Sequence, residues 1–310
     1  MKRNLILLPY ANLASVKGGV NIHNEQERTD VYLKNCCTAC ASARRHCGEN
    51  TDVALATNID VPEKYRAVLE QFGIKMLRYD FDQFHFGEGC EWGLAFYKLC
   101  ALSHALNETD YAAYAFLDTD VYVQHSFDDI WRECGQHLLL YDICHGLQVR
   151  DYRGFLSEVA QFTGENALIT HYGGEFFAAG KADAEAFMKE CLTVFESMRR
   201  REFRTTFGDE FITSLAAARM GGRVKNAGAY VFRFWTGRFR LVSTCYASNA
   251  VAVLHVPAEK EAGMLKIYDK YIKKGHLPKP AAVWSLLHLR HRRFAIACYE
   301  MACSLIGRKN

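Results

Sequence analysis

The chain has 310 residues, 50% hydrophobic and 24% charged, with a formal net charge of +3. That is ordinary globular composition with ample length for a sizeable core, which fits one large α/β domain with appendages or two intimate lobes. No unbroken run of 18 apolar residues occurs, and the apolar run of the opening MKRNLILLPY stops at Pro9; a membrane-spanning helix and a secretory leader are therefore not expected.

The front of the chain alternates strand-like and helix-like segments. Leu5–Tyr10 reads as a short buried strand, and Asp30–Cys47 as a helix with Asp30 as its N-cap. A second strand is expected over Asp52–Thr57, followed by a helix over Val61–Phe72 that has Pro62 in its first turn and Gly73 closing it. Ile74–Tyr79 reads as a third strand. The helix expected over Glu91–Leu106 has apolar residues at 92, 95, 96, 99, 102 and 106, close to a 3.6-residue period. A fourth strand, Tyr114–Leu117, follows. This order predicts a mainly parallel, doubly wound sheet, in which ligands bind outside the carboxyl ends of the strands. Further on, Leu138–Asp142, Tyr172–Ala179 and Val251–Val256 read as strands, and Ala182–Arg199 and Asp209–Met220 as helices.

Twelve cysteines are present, and reduced thiols are the expectation for a chain of this size without a leader. Cys36, Cys40 and Cys47 share a helix face with Cys37 beside them, and they read as small hydrophobes packed in a core. A zinc site would need a second ligand pair at knuckle spacing, and only His46 is near.

The stretch AAYAFLDTDVYVQ is unusual: two carboxylates, Asp118 and Asp120, interrupt an apolar, aromatic run. On an extended chain residues i and i+2 point the same way, so both can converge on one point. Converging anions repel unless a cation sits between them, and Mg²⁺ or Mn²⁺ is held by such carboxylates together with substrate phosphates. The plain alternative is one Asp capping the next element and one facing solvent. Two chemistries use the pair. A dehalogenase-type phosphatase uses D-x-D-x-[T/V] early in its domain; here Tyr122 occupies the last position and about a third of the chain precedes the motif. A nucleotide-sugar glycosyltransferase places D-x-D after several strands, as this chain does.

On these residues the sequence resembles a GT-A glycosyltransferase of the retaining families 8 and 6, over about residues 1–272. WGLAFYKLCALSHALNETDYAAYAFLDTDVYV is similar to the family 8 pattern of a helix opening with tyrosine and a basic residue, then a strand ending in D-x-D. The resemblance implies that Asp118 and Asp120 bind Mn²⁺ or Mg²⁺ and the donor diphosphate, and that Lys98 contacts the donor. HYGGEFFAAGKADAEAF resembles the family 6 segment that frames the donor sugar, with Gly173 and Gly174 allowing close backbone approach; a strand bulge is the alternative. GDEFITSLAA is similar to the acidic dipeptide near the anomeric carbon, which falls on Glu210 in family 6 and nearer Asp209 in family 8; either acid also suits a helix N-terminus. LHVPAEK resembles the late family 8 histidine and lysine, implying His255 as third metal ligand and Lys260 on the diphosphate, although the glycine and proline–tryptophan of that pattern are missing. Tyr10, at the end of the first strand, is taken as a further donor contact.

The expected activity is metal-dependent, retaining transfer of a hexose or N-acetylhexosamine from a UDP-sugar to a glycan acceptor. A phosphatase or nucleotidyltransferase, and a non-catalytic nucleotide-sugar binder, are the alternatives. Residues 273–310 carry eight Lys and Arg against one Glu, a net +7 that leaves the first 272 residues at −4 out of the chain's +3. Interleaved with Trp284, Phe294 and Tyr299, this segment reads as a basic amphipathic helical tail on an anionic membrane surface. It would put a lipid-linked or surface-polysaccharide acceptor at the cytoplasmic face. A packed helix or a partner-binding one is the alternative, and the acidic body disfavours nucleic acid.

Overall fold

The computed structural model describes residues 2–13, 25–87, 90, 92–145, 150–236 and 250–289, with 298, 301, 302 and 305 beyond them. In chain order the elements are β1 (Asn4–Tyr10), α1 (Glu25–His46), β2 (Thr51–Thr57), α2 (Glu63–Gln71), β3 (Lys75–Arg78), α3 (Tyr97–Glu108), β4 (Ala113–Leu117), β5 (Val121–Val123), α4 (Asp128–Glu133), β6 (Leu138–Asp142), α5 (Arg150–Thr163), β7 (Tyr172–Gly180), α6 (Lys181–Arg200), α7 (Asp209–Met220), β8 (Val224–Asn226), β9 (Val231–Arg233), β10 (Val253–His255), α8 (Gly263–Lys270) and α9 (Pro280–Leu286).

β1 shows why the sheet is covered on both faces. Leu5, Ile6, Leu7 and Leu8 follow one another and are all fully buried. Successive side chains of a strand point to opposite faces. Ile6 and Leu8 accordingly enter a core with α1, α2 and α8, while Leu5 and Leu7 enter a second core with α3, α6 and α7.

The main sheet has seven strands in the order β3-β2-β1-β4-β7-β6-β8. β1 pairs in parallel with β2 and β4, β2 with β3, and β6 with β8. β7 runs antiparallel to both its neighbours, so its N-terminal end lies beside the carboxyl end of β4. A smaller sheet, β5-β10-β9, joins β10 antiparallel to β5 and parallel to β9. The α/β, doubly wound sheet with helices on both faces is thus the architecture that the strand–helix alternation predicts.

Several local expectations are corrected. α1 starts at Glu25, which puts Asp30 inside the helix rather than at its cap. Its carboxylate pairs with Lys34 and Lys64 at 2.7 Å each and accepts from the Tyr65 hydroxyl, so α2 claims it. The helix expected from Glu91 starts at Tyr97, because Trp92 adopts a left-handed φ of 61° and Gly93–Phe96 form a 3₁₀ turn. Helix α5 was not anticipated. Cys36, Cys37, Cys40 and Cys47 are buried free thiols, and burial pushes Cys36 and Cys40 well above the usual thiol range.

Val283, Leu287 and Leu289 are buried in the α1-side core, and the Trp284 indole donates to Gln124 Oε1 at 2.8 Å. The same body therefore continues past residue 272. Five of the eight Lys and Arg of the expected basic tail, and all of 290–297, lie outside the described residues. Among those described, no helix is long and apolar enough to cross a membrane.

Phe177 on β7 is fully buried and stacks on Phe116 with ring centroids 5.2 Å apart and on Phe187 at 5.1 Å. Phe177→Ala is expected to cost about 3–5 kcal/mol in urea unfolding. A loss below about 1 kcal/mol would contradict this packing.

Candidate functional site

The chain leaves β4 at Leu117, and Asp118, Thr119 and Asp120 form the turn into β5. The pair therefore sits between two strands rather than within one. Backbone bonds fix the turn: Asp118 N–H donates to the Glu175 carbonyl and Val256 N–H to the Asp120 carbonyl, each at 3.0 Å. Thr119 N–H donates to Asp118 Oδ1 at 2.8 Å.

Asp120 is fully enclosed. His255 Nε2, at the end of β10, lies 3.3 Å from its Oδ1, and Lys260 Nζ lies 3.1 Å from its Oδ2. Burial alone would push this carboxyl up, but Lys260 and His255 hold it well below the usual carboxylate range. His255 is raised to about 9: burial opposes its charge, and Asp120 and Glu175 outweigh that. Its Nδ1 lies 3.1 Å from Glu175 Oε1.

A second charged group flanks the first. Lys98, in the first turn of α3, lies 3.1 Å from Asp209 Oδ2 and 3.8 Å from Asp118 Oδ2. Burial disfavours its charge, and the two aspartates more than offset that. Asp209 is pushed up to about 6, mainly by burial, with Lys98 opposing and Glu210 and Asp118 adding to the rise. Next to it, Glu210 accepts from Arg233 Nη2 at 3.1 Å and from His171 Nε2 at 2.9 Å. Burial would raise Glu210 too, but those two partners keep it low. Arg233, at the end of β9, grips Glu175 through Nε and Nη2 at 2.7 Å each.

The glycines of β7 make room for these charges. A Cβ on Gly173 would lie 1.9 Å from Glu175 Oε2 and 2.8 Å from Arg233 Nη2. On Gly174 it would lie 2.3 Å from Asp209 Oδ2 and 2.7 Å from Lys98 Nζ. Side chains of the protein itself occupy the space that these glycines leave.

These groups border a cavity of about 380 Å³ at the carboxyl ends of the strands, lined by Lys98, Asp118, Asp209, Glu210, Arg233 and Lys260 among others. Tyr10 and Tyr32 form one wall, stacked with ring centroids 5.6 Å apart. Lys260 Nζ lies 5.4 Å from the Tyr32 ring centroid.

Asp118, Asp120 and His255 bring one ligand atom each within 4.8 Å of one another. Among the described residues, neither oxygen of Asp120 has a well-directed hydrogen bond despite the short ion-pair distances. A buried carboxylate whose oxygens have ion-pair partners but no well-directed hydrogen bond, beside a second carboxylate and an imidazole, fits a divalent cation such as Mn²⁺ or Mg²⁺. Asp82, Cys100 and His104 also cluster, but His104 bridges Asp82 and Glu108 at 2.8 and 3.1 Å, and none of the three lines the cavity.

No protein-family model matches the sequence, and no curated protein sequence matches it. Solved structures do share its fold. The chain is similar to the apo form of mouse xyloside xylosyltransferase 1, with a TM-score of 0.52 and 10% identity over 84% of this chain and 98% of that one. It is also similar to the apo structure of WbbM, described as a bifunctional glycosyltransferase, with a TM-score of 0.55 and 10% identity over 83% of this chain and 46% of the longer WbbM chain. The architecture is therefore a GT-A-like glycosyltransferase fold.

Of the expected site residues, Tyr10, Lys98, Asp118, Asp209, Glu210 and Lys260 line this cavity; Asp120 and His255 are tied to it through Lys260 and the cluster with Asp118, and Gly173 and Gly174 pack against Asp209, Lys98 and Arg233 without lining it. Sequence reasoning did not single out His171, Glu175, Arg233 or Tyr32. Glu175 had a local signal, since it is a charge inside the buried run YGGEFFAA, the same kind of break that exposes Asp118 and Asp120. Arg233 and His171 have none.

Because Asp209 sits at about 6 in the folded chain against a usual 3.8, the folded state holds this proton more tightly than the unfolded one. The contribution stabilises the fold at low pH and is lost as pH rises through that window. In metal-free protein, parent stability relative to Asp209→Asn should fall between pH 3.8 and about 6. A parent–variant difference that stays flat across the window in urea unfolding would refute the shift.

Proposed function

We propose that the chain is a metal-dependent glycosyltransferase that takes a UDP-sugar donor. The observation that carries this reading is the Asp118, Asp120 and His255 cluster at the carboxyl end of β4, beside Lys98 and Lys260, in a GT-A-like fold. Charge balance supports a cation there. Asp118, Asp120, Glu175, Asp209 and Glu210 face Lys98, Arg233 and Lys260, so the ionised carboxylates outnumber these cations by two, and by one when His255, which Asp120 and Glu175 push up to about 9, is charged.

Mn²⁺ or Mg²⁺ held by Asp118, Asp120 and His255 would neutralise charge developing on a departing diphosphate. Lys260 and Lys98 add fixed positive charge on either side of that position. The stacked Tyr10 and Tyr32 suit a planar base. Gly173 and Gly174 let the donor-side backbone and the acidic side chains crowd together. Glu210 is favoured over Asp209 as the acid facing the sugar, since its side chain is 22% exposed against 4%. It would stabilise an oxocarbenium-like state or attack it, as a retaining reaction requires. Asp209, pushed up and bonded to Lys98, would position that lysine.

The proposed acceptor is a glycan, lipid-linked or part of a surface polysaccharide, with the basic segment after residue 272 resting on an anionic cytoplasmic leaflet. A hexose or N-acetylhexosamine is the proposed cargo; the mouse relative is named for xylosyl transfer, so UDP-xylose belongs beside UDP-glucose, UDP-galactose and their N-acetyl forms in a donor screen. Mn²⁺-dependent release of UDP from one of these is the expected result. Asp120→Asn should abolish Mn²⁺-dependent UDP binding in calorimetry while the circular dichroism spectrum stays unchanged. Binding equal to the parent's would sink the reading. Truncation after Leu289 removes five Lys and Arg; at about 1 kcal/mol per basic residue near such a surface it should weaken affinity for phosphatidylglycerol vesicles by about a thousandfold in co-sedimentation, and leave UDP release intact. Undiminished vesicle binding would rule out the membrane role.

A further inference from the structure

Glu175 is a fully enclosed charge on a central strand. Fold stability does not explain it, since a buried ion pair is commonly neutral or worse than well-packed apolar side chains of the same volume. β7 even gives up a side chain at Gly173 so that the Glu175 carboxylate and Arg233 can be seated.

Two groups share its oxygens. Arg233 holds both, through Nε on Oε1 and Nη2 on Oε2 at 2.7 Å each, and His255 Nδ1 lies 3.1 Å from Oε1. An ionised carboxylate accepts and cannot donate, so this contact puts a proton on Nδ1. The other nitrogen, Nε2, faces Asp120 Oδ1 at 3.3 Å. Arg233 Nη2 also reaches Glu210 Oε1 at 3.1 Å.

We propose that Glu175 is the positioning residue that couples the two halves of the site. Through His255 it fixes the ring plane and the Nδ1–H form, which turns the Nε2 lone pair toward the cation position. Histidine ligands are commonly held in this way by a carboxylate behind them, and removing that partner costs about 10–100-fold in metal affinity. Through Arg233 it fixes Glu210, the carboxylate at the sugar end of the cavity. Arg233 is the second positioning residue. The inference rests on the metal reading of Asp118, Asp120 and His255.

The test is Mn²⁺ binding to the full chain without donor, followed by electron paramagnetic resonance, for the parent, Glu175→Gln, His255→Ala and the double variant. Glu175→Gln is expected to weaken Mn²⁺ by about 10–100-fold and to reduce the ¹⁴N modulation of the spin echo that imidazole coordination produces. The double variant should bind no more weakly than His255→Ala alone, because the carboxylate acts through that ring. Arg233→Lys keeps the charge but not the two-pronged grip. It should weaken Mn²⁺ less than Glu175→Gln does, since the carboxylate still faces His255, and lower kcat for UDP release at saturating Mn²⁺ by about tenfold, more than it moves KM, the split expected when a group acting in the transition state is misplaced. If Glu175→Gln does not fold, Glu175→Asp, whose carboxylate is drawn back from His255, is read in the same way. Parent-like Mn²⁺ affinity and modulation in the Glu175 variant, or additive losses in the double variant, overturn the proposal alone. A parent that binds no Mn²⁺ overturns the metal reading together with it.

Discussion

Repulsion among five carboxylates is the constraint around which the rest of the site is arranged. Asp118, Asp120, Glu175, Asp209 and Glu210 come from a turn, a strand and a helix start, and three of them are almost wholly enclosed. Their protonation follows from which has found a partner. Asp120 has Lys260 and His255, and Glu175 has Arg233 and His255; both are held low. Asp209 has, among the described residues, Lys98 as its one cationic partner, which also faces Asp118, and burial pushes it up to about 6. Neighbouring acids of like chemistry thus acquire different proton affinities, a pattern commonly found where carboxylates have distinct tasks.

The sheet makes this crowding possible. Six of the seven strands of the main sheet run one way, and β7 opposes them. One end of the sheet therefore receives the carboxyl end of β4 and the amino end of β7 side by side, and β10 and β9 deliver His255 and Arg233 to it from the second sheet. Most of the charges lie at strand ends, a turn or a helix start, and only Glu175 of the five carboxylates sits within a strand, so neither hydrophobic core includes them. Gly173 and Gly174 take the closest approach, where any Cβ would collide with a neighbour.

Much of the frame was legible because it depends on local pattern. Leu5–Leu8 and Ala113–Leu117 are apolar on both faces, the pattern of strands in a sheet covered on both sides. The D-x-D pair was legible because charge breaks such a run, although the structure places it in a turn. Asp30 was misplaced because α1 begins five residues earlier, at Glu25, and two of its three partners, Lys64 and Tyr65, lie 34 and 35 residues away. Arg233 was invisible for the same reason: its partner Glu175 is 58 residues distant, and a lone arginine between two phenylalanines carries no periodic signal. Glu175 had the same signal as Asp118 but was hidden behind the more conspicuous glycines that precede it. Sequence pattern reports the burial of a face well; it reports poorly which charges meet across elements, because that depends on how separate strands are aligned.

Arg233 illustrates what such a meeting supplies. Its planar guanidinium offers donors in a fixed fork, so one side can engage both oxygens of Glu175 while Nη2 still reaches Glu210. A lysine would place one compact charge at a single point and leave the relative orientation of the two carboxylates free. The fork converts electrostatic attraction into geometry. Glu175 is gripped on one edge and meets His255 through Oε1, which makes the histidine's orientation, the arginine's plane and the position of Glu210 parts of one rigid unit rather than three separate side-chain choices. Preorganisation of this kind loses little entropy when a ligand arrives, and the burial that makes the charges costly also strengthens the field they project into the cavity.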